Sequence, residues 1–307
     1  MPHTNDKALY RECVNLLGGP SRLHAAWRVD GRRVLDTAVR GQQVFQAVLF
    51  ACLNSLDRDH PWDSMGGRSF ADLRHYIDWV SPQPDRLMIE CAVSGRVASY
   101  LLPHPQIFGD GSFVHAGIPG LRVAGYAPRT IKLVHLPTGG RLDIIDGMGR
   151  TEAQVRRHLA TEARRQGRPM GGVGRVIPFW YRDDLHPIED SVNEHWAYTP
   201  VTRLLSGLMA RCGLLWNMSD KVTLSSSRRS TCAAKLTWDD GYEVDELADL
   251  LTGPAVGIPR AEARAAESWV GYVLLRLDDG QIELDNRSLG MRRRRARALL
   301  ARGARTS

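Results

Sequence analysis

The chain has 307 residues, 43% hydrophobic and 24% charged, an ordinary globular balance that excludes a disordered, collagenous or fibrous protein. No apolar run reaches the roughly 18 residues of a membrane span; the best, Val44 to Leu53, is interrupted by Gln46. The five cysteines form no CxxC pair and are odd in number, against a disulfide framework. The length predicts two domains. Residues 1–7 show no basic region followed by an apolar core, so a reducing, cytoplasmic setting without membrane contact is expected.

In chain order, Thr4 or Asn5 caps a predicted helix through Leu17, with Leu9, Cys13, Leu16 and Leu17 on one face and Gly18 as its stop. Asp30-Gly31 reads as a hairpin turn between Trp27-Val29 and Val34-Leu35. Val44, Phe45, Val48, Leu49, Cys52, Leu53 and Leu56 recur at helical spacing and predict a buried helix over 42–56. Ser69, three residues before Asp72, predicts a helix through Val80. Leu87 to Val93 and Arg96 to Leu102 are expected to be strands flanking a Ser94-Gly95 turn. Strands over 121–126, 130–136 and 141–145 and a polar helix over 151–165 follow.

Gly and Pro crowd residues 167–178 and resist regular structure, which makes 169–178 the expected linker between an N-terminal unit, 1–168, and a C-terminal unit, 179–290. The second unit reads as a strand from Arg175, helices over 187–196 and 200–216, strands over 221–225 and 232–238, helices over 244–251 and 260–268, and a hairpin at Asp278-Asp279-Gly280. Strands occurring mostly in hairpins favour an α+β fold with antiparallel sheets in two domains. No repeat of fixed period is visible.

Several polar groups are candidates for chemistry. Asp183, Asp184, His186, Glu189, Asp190, Glu194 and His195 combine imidazoles with carboxylates. On a helix, positions 186, 190 and 194 share a face, so His186, Asp190 and Glu194, with His195, are a possible divalent-metal set for hydrolysis or phosphotransfer. Capping is the structural alternative, because Pro187 suits a first helical position and acids favour the first turn. Asp57, Asp59, His60 and Asp63 repeat the grammar. Asp143 and Asp146 resemble the strand-borne acids that hold Mg²⁺, but their spacing of three sends them to opposite faces of a strand. Cys91, in an apolar strand, reads as core.

Lysine occurs only four times, so arginine supplies the positive charge. Arg287, Arg292, Arg293, Arg294, Arg295, Arg297, Arg302 and Arg305 all follow the last acid, Asp285. Taking their eight charges from the formal +7 leaves a near-neutral body at −1, with a basic tail over 291–307. Arg228 and Arg229 lie in a hydroxyl-rich loop suited to phosphate. The order helix, strand, helix 244–251, helix 260–268 and hairpin resembles a winged-helix module, with Glu246 to Leu251 resembling the second helix of helix-turn-helix proteins. The resemblance implies DNA binding; the acids of the supposed wing, Asp278, Asp279, Glu283 and Asp285, run against it. The expected function is association with nucleic acid or another polyanion through Arg292–Arg295, Arg297, Arg228 and Arg229. A metal-assisted hydrolase at 183–195 and an assembly protein are the alternatives.

Overall fold

The computed structural model describes residues 3–18, 28–29, 32–33, 35–54, 70–103, 106–107, 113–114, 117–166, 175–176, 180–193, 198–219, 221–226, 234–265 and 272–288. The fold is mixed α+β, built on two five-stranded sheets. It opens with α1 (His3–Leu17), the hairpin β1 (Arg28–Val29) and β2 (Arg32–Arg33), and the buried helix α2 (Arg40–Asn54). A 3-10 turn (Phe70–Tyr76) leads into β3 (Ile77–Pro82), β4 (Leu87–Cys91) and α3 (Ser94–Leu101). The short strands β5 (Gln106–Ile107) and β6 (Phe113–Val114) precede β7 (Leu121–Ala127), β8 (Thr130–His135), β9 (Gly140–Asp146) and α4 (Glu152–Gln166). The second half holds β10 (Arg175–Val176), α5 (Pro187–Asn193), α6 (Thr202–Ala210), α7 (Cys212–Met218), β11 (Thr223–Ser226), β12 (Ala234–Trp238), α8 (Val244–Thr252), β13 (Glu262–Ala265), β14 (Val273–Leu277) and β15 (Gly280–Asn286).

The two sheets share one topology. The first runs β3-β4-β9-β8-β7 and the second β11-β12-β15-β14-β13. In each, a helix precedes two antiparallel strands, a second helix follows, and three antiparallel strands complete the sheet. In each, the single parallel pairing joins the second strand to the fifth, in matching register. Leu87 to Cys91 lie opposite Leu142 to Asp146, and Ala234 to Trp238 opposite Ile282 to Asn286. The chain is therefore a structural duplication, invisible as a fixed-period repeat because its connections differ in length.

The leading helices of the two halves, α2 and α6, pack on each other between the sheets. Helix α2 buries almost its whole length, from Val44 to Asn54, as its largely apolar composition requires. Gln46 interrupts that run because its Oε1 accepts the Ser206 hydroxyl of α6 at 2.7 Å. The described core is one cluster running from Cys13 to Leu284 through both halves.

Four sequence expectations are corrected. Residues 94–101 form a helix rather than a hairpin strand. Val97, Ala98 and Leu101 are all fully buried on one helical face, and Gly95 lets α4 come close: a Cβ there would lie 2.7 Å from His158 Nδ1 and 2.8 Å from Leu159 N. The helix expected over 69–80 stops at Tyr76. Ile77, Trp79 and Val80 suit a pleated, half-buried surface, and they pair with β4. Residues 262–265, expected within a helix over 260–268, pair with β14 as an edge strand, so the described part of the supposed recognition helix is a strand. The helix expected over 200–216 is also broken, at Arg211, whose backbone leaves the helical range (φ −116°).

Candidate functional site

The 183–195 cluster is built around a buried ion pair that the sequence reading did not single out. Arg122 enters the second position of β7, inside an otherwise apolar strand start, and is only 3% exposed. Its Nη1 and Nη2 meet Glu189 Oε1 and Oε2 at 2.9 and 2.6 Å. Its Nε and Nη2 also donate to the carbonyls of Arg182 and Asp184, both at 2.9 Å. Glu189 accepts two backbone N–H groups besides, from Gly120 at 2.7 Å and His186 at 3.0 Å. Burial alone raises the Glu189 carboxyl; the Arg122 guanidinium and the two N–H groups outweigh it and hold the group below the usual carboxylate range.

This geometry makes residues 180–190 a clasp. Glu189 reaches back to the His186 N–H, and His186 Nδ1 accepts the Ile188 N–H at 3.3 Å, so the start of α5 is capped from both sides. Trp180 adds its indole N–H to the Pro103 carbonyl at 2.8 Å, and its own carbonyl accepts Val123 N at 3.1 Å. Both Trp180 bonds run to the first half, as do those of Glu189 to Arg122 and Gly120. Of the four residues expected to ligate a metal, His186 is engaged at the helix start and Asp190 is exposed; Glu194 and His195 lie outside the described residues. Among the described residues, no three His, Cys, Asp or Glu side chains are grouped to hold a metal ion. The 57–63 cluster also lies outside them.

At the carboxyl ends of β4 and β9, Asp146 is fully buried. It accepts the Ser94 hydroxyl at 2.6 Å, Arg150 Nη1 at 2.6 Å and the Arg150 N–H at 3.2 Å. Burial pushes its carboxyl up, but these donors prevail and the pKa is lowered. Asp143 faces the other side of the sheet, against Arg86 at 3.4 Å, as a spacing of three requires. Cys91, opposite Asp146 in the ladder, is fully buried, and burial first, then Asp78, Asp146 and Glu90, push its thiol up.

The duplication shows what Asp146 does. In the second half the equivalent strand end is Asn286, whose Nδ2 donates to the Tyr242 carbonyl at 3.0 Å, just ahead of α8. In both halves the last residue of the fifth strand is bonded at the start of the second helix, Asp146 to Ser94 of α3 and Asn286 to Tyr242 ahead of α8. The charge at Asp146 is matched to Arg150, and the fastening itself needs only a polar side chain.

The arginines expected to contact nucleic acid, Arg228, Arg229, Arg292, Arg293, Arg294, Arg295 and Arg297, lie outside the described residues. Within them, the outer face of the β13–β14 edge gathers Arg260, Arg264 and Arg276 around an open depression of about 560 Å³, with Glu262 and Asp278. Asp278 bridges Arg260, at 2.6 Å, and Arg203, while Arg264 pairs with Glu262 at 3.1 Å. Arg276 was missed in the sequence because it joins this face only through the register that sets it opposite Glu262. No helix of the described residues is long and apolar enough to cross a membrane. Comparison with known protein families, with curated proteins and with solved structures finds no match.

Proposed function

We propose that the protein associates with nucleic acid through its C-terminal arginine segment, residues 291–307. The observation that carries this reading is the charge distribution. Seven arginines without one acid equal the whole formal charge of +7, whereas the body pairs its own charges, as at Arg122–Glu189, Arg150–Asp146, Arg211–Asp36 and Lys235–Asp285. A segment of that kind binds phosphates electrostatically and without base readout. The Arg260, Arg264 and Arg276 face offers a second, partly neutralised contact. A metal-assisted reaction at 183–195 has less support, since Glu189 and His186 are engaged in holding that segment in place.

The test is a titration of duplex DNA at several salt concentrations. Full engagement of seven arginines gives log K against log salt a slope near about −6, and a chain ending at residue 290 has a slope near zero. A polyphosphate competitor and a scrambled duplex separate a general polyanion binder from a sequence reader. An unchanged slope on truncation rejects the proposal.

A further inference from the structure

The duplication exposes an asymmetry around its second helices. In the first half, α3 is covered by α4, the segment that follows the fifth strand. Aligning the fully buried positions Val97, Ala98 and Leu101 with Leu247, Ala248 and Leu251 sets Gly95, Arg96 and Ser99 of α3 against Asp245, Glu246 and Asp249 of α8. On α3 these three positions face the covering helix: Gly95 lies against His158 and Leu159, Ser99 is buried, and Arg96 pairs with Glu162 of α4 at 3.2 Å. On α8 all three are exposed acids. Glu246 and Asp249 line an open groove of about 410 Å³ with Glu12 of α1, Tyr242, Leu250 and Val256.

We propose that residues 291–307 occupy this face of α8 in the free protein, as α4 occupies α3. Charge fits, with polarity reversed: Arg96 on the helix and Glu162 on the cover become Glu246 and Asp249 on the helix and arginines on the cover. Leu250 and Val256 border the groove, and Leu299 and Leu300 are the sizeable apolar side chains the segment offers after Met291. The acidic side chains keep the cover from approaching as closely as α4 approaches Gly95. The contact is therefore one of long guanidinium side chains reaching carboxylates, and it weakens with salt.

The consequence, which rests on the nucleic-acid reading above, is self-masking: a polyanion gains the tail only by displacing it from α8. The acidic face then sets a threshold of affinity below which the tail stays docked.

The experiment uses the full chain with Glu12→Lys, Asp245→Lys and Asp249→Lys together, leaving Glu246 because its carboxylate caps the Glu243 N–H. Trypsin cleavage within 291–307 at low salt is expected to be about tenfold faster than in the parent, and equal to it in about 1 M salt. Adding Arg292→Glu, Arg293→Glu, Arg294→Glu and Arg295→Glu to that variant restores the slow cleavage by reversing both partners. Cleavage across 296–305, whose arginines are common to all variants, is the signal compared. Cleavage that is equally fast in parent and groove variant overturns the docking. Slow cleavage in the parent, lost in the variant, with no DNA binding by either, keeps the docking and rejects the nucleic-acid function instead. If both hold, the groove variant binds duplex DNA about tenfold more tightly than the parent at low salt.

Discussion

Arg211 of the second half and Asp36 of the first form a two-pronged ion pair, Nη1 to Oδ1 at 2.8 Å and Nη2 to Oδ2 at 2.7 Å, with the guanidinium only 1% exposed. The same guanidinium donates to the carbonyls of Gly207, Gly257 and Val256, so every donor group on it is directed. It explains the break between α6 and α7: leaving the helix there turns the side chain into the joint. Asp36→Asn leaves a buried cation without its counter-charge and is expected to lower stability by about 2–4 kcal/mol in urea unfolding. Because the core is continuous, fluorescence and circular dichroism are expected to report one shared transition in both parent and variant. A loss below about 0.5 kcal/mol would show that the carbonyls alone hold Arg211.

The clasp at Glu189 separates the structural role of the 183–195 segment from a catalytic one. Glu189→Gln removes the charge that balances buried Arg122 and is expected to cost about 3–5 kcal/mol. Asp190→Asn, at an exposed position, is expected to change stability by less than about 0.5 kcal/mol. His186→Ala removes the acceptor for Ile188 N–H at the start of α5 and is expected to cost about 1 kcal/mol. Equal, small effects at all three positions would contradict the clasp.

His135 gives the fold an acid-sensitive point. Its Nε2 lies 3.0 Å from the Pro119 carbonyl and its Nδ1 2.9 Å from the Thr138 hydroxyl, which in turn accepts the Gly140 N–H at 3.1 Å. The Pro119 carbonyl fixes Nε2–H as a donor, and in the neutral ring Nδ1 accepts the Thr138 hydroxyl. Burial against Phe45 lowers its pKa to about 4. The unfolded chain takes up this proton below about pH 6.5, and the native state does not until about pH 4. The neutral imidazole's contribution is therefore intact above pH 6.5 and is lost as pH falls, by about 3 kcal/mol in all. The stability gap between the parent and His135→Gln is expected to narrow by that amount from pH 7 to pH 4. A constant gap would mean that the buried ring accepts the proton.

Gly95 and Asp245 occupy equivalent places with opposite requirements. Gly95→Ala drives a Cβ into the His158 and Leu159 backbone of α4. It is expected to cost about 1–3 kcal/mol despite alanine's better helix propensity. Asp245→Ala on exposed α8 is expected to stay within about 0.5 kcal/mol. Thermal unfolding of the two variants side by side checks the pair; a neutral Gly95→Ala would show that α4 moves away freely.

The local elements were legible wherever one physical signal dominated. The unbroken helical period from Val44 to Leu53 declared α2, and Asp279-Gly280 declared the β14–β15 turn. The spacing of three between Asp143 and Asp146 alone puts them on opposite faces of a strand. Signals failed where two periods competed. Arg96 to Leu102 alternates well enough for a strand, and only the surface of α4 beside Gly95 makes it a helix. Arg260 to Ala265 satisfies a helix until β14 offers its hydrogen bonds. Long-range pairing lay beyond reach altogether: the parallel registers Cys91–Asp146 and Trp238–Asn286 join residues about 50 positions apart, and nothing in either strand names its partner. The duplication follows from those registers, and so does the role of Asp146. The sequence determined that a near-neutral body ends in an arginine-only segment, because charge is read directly from composition. Tertiary structure decided which acids are taken, because burial with Arg122 commits Glu189 to an internal ion pair, while Asp245 and Asp249 lie exposed on α8.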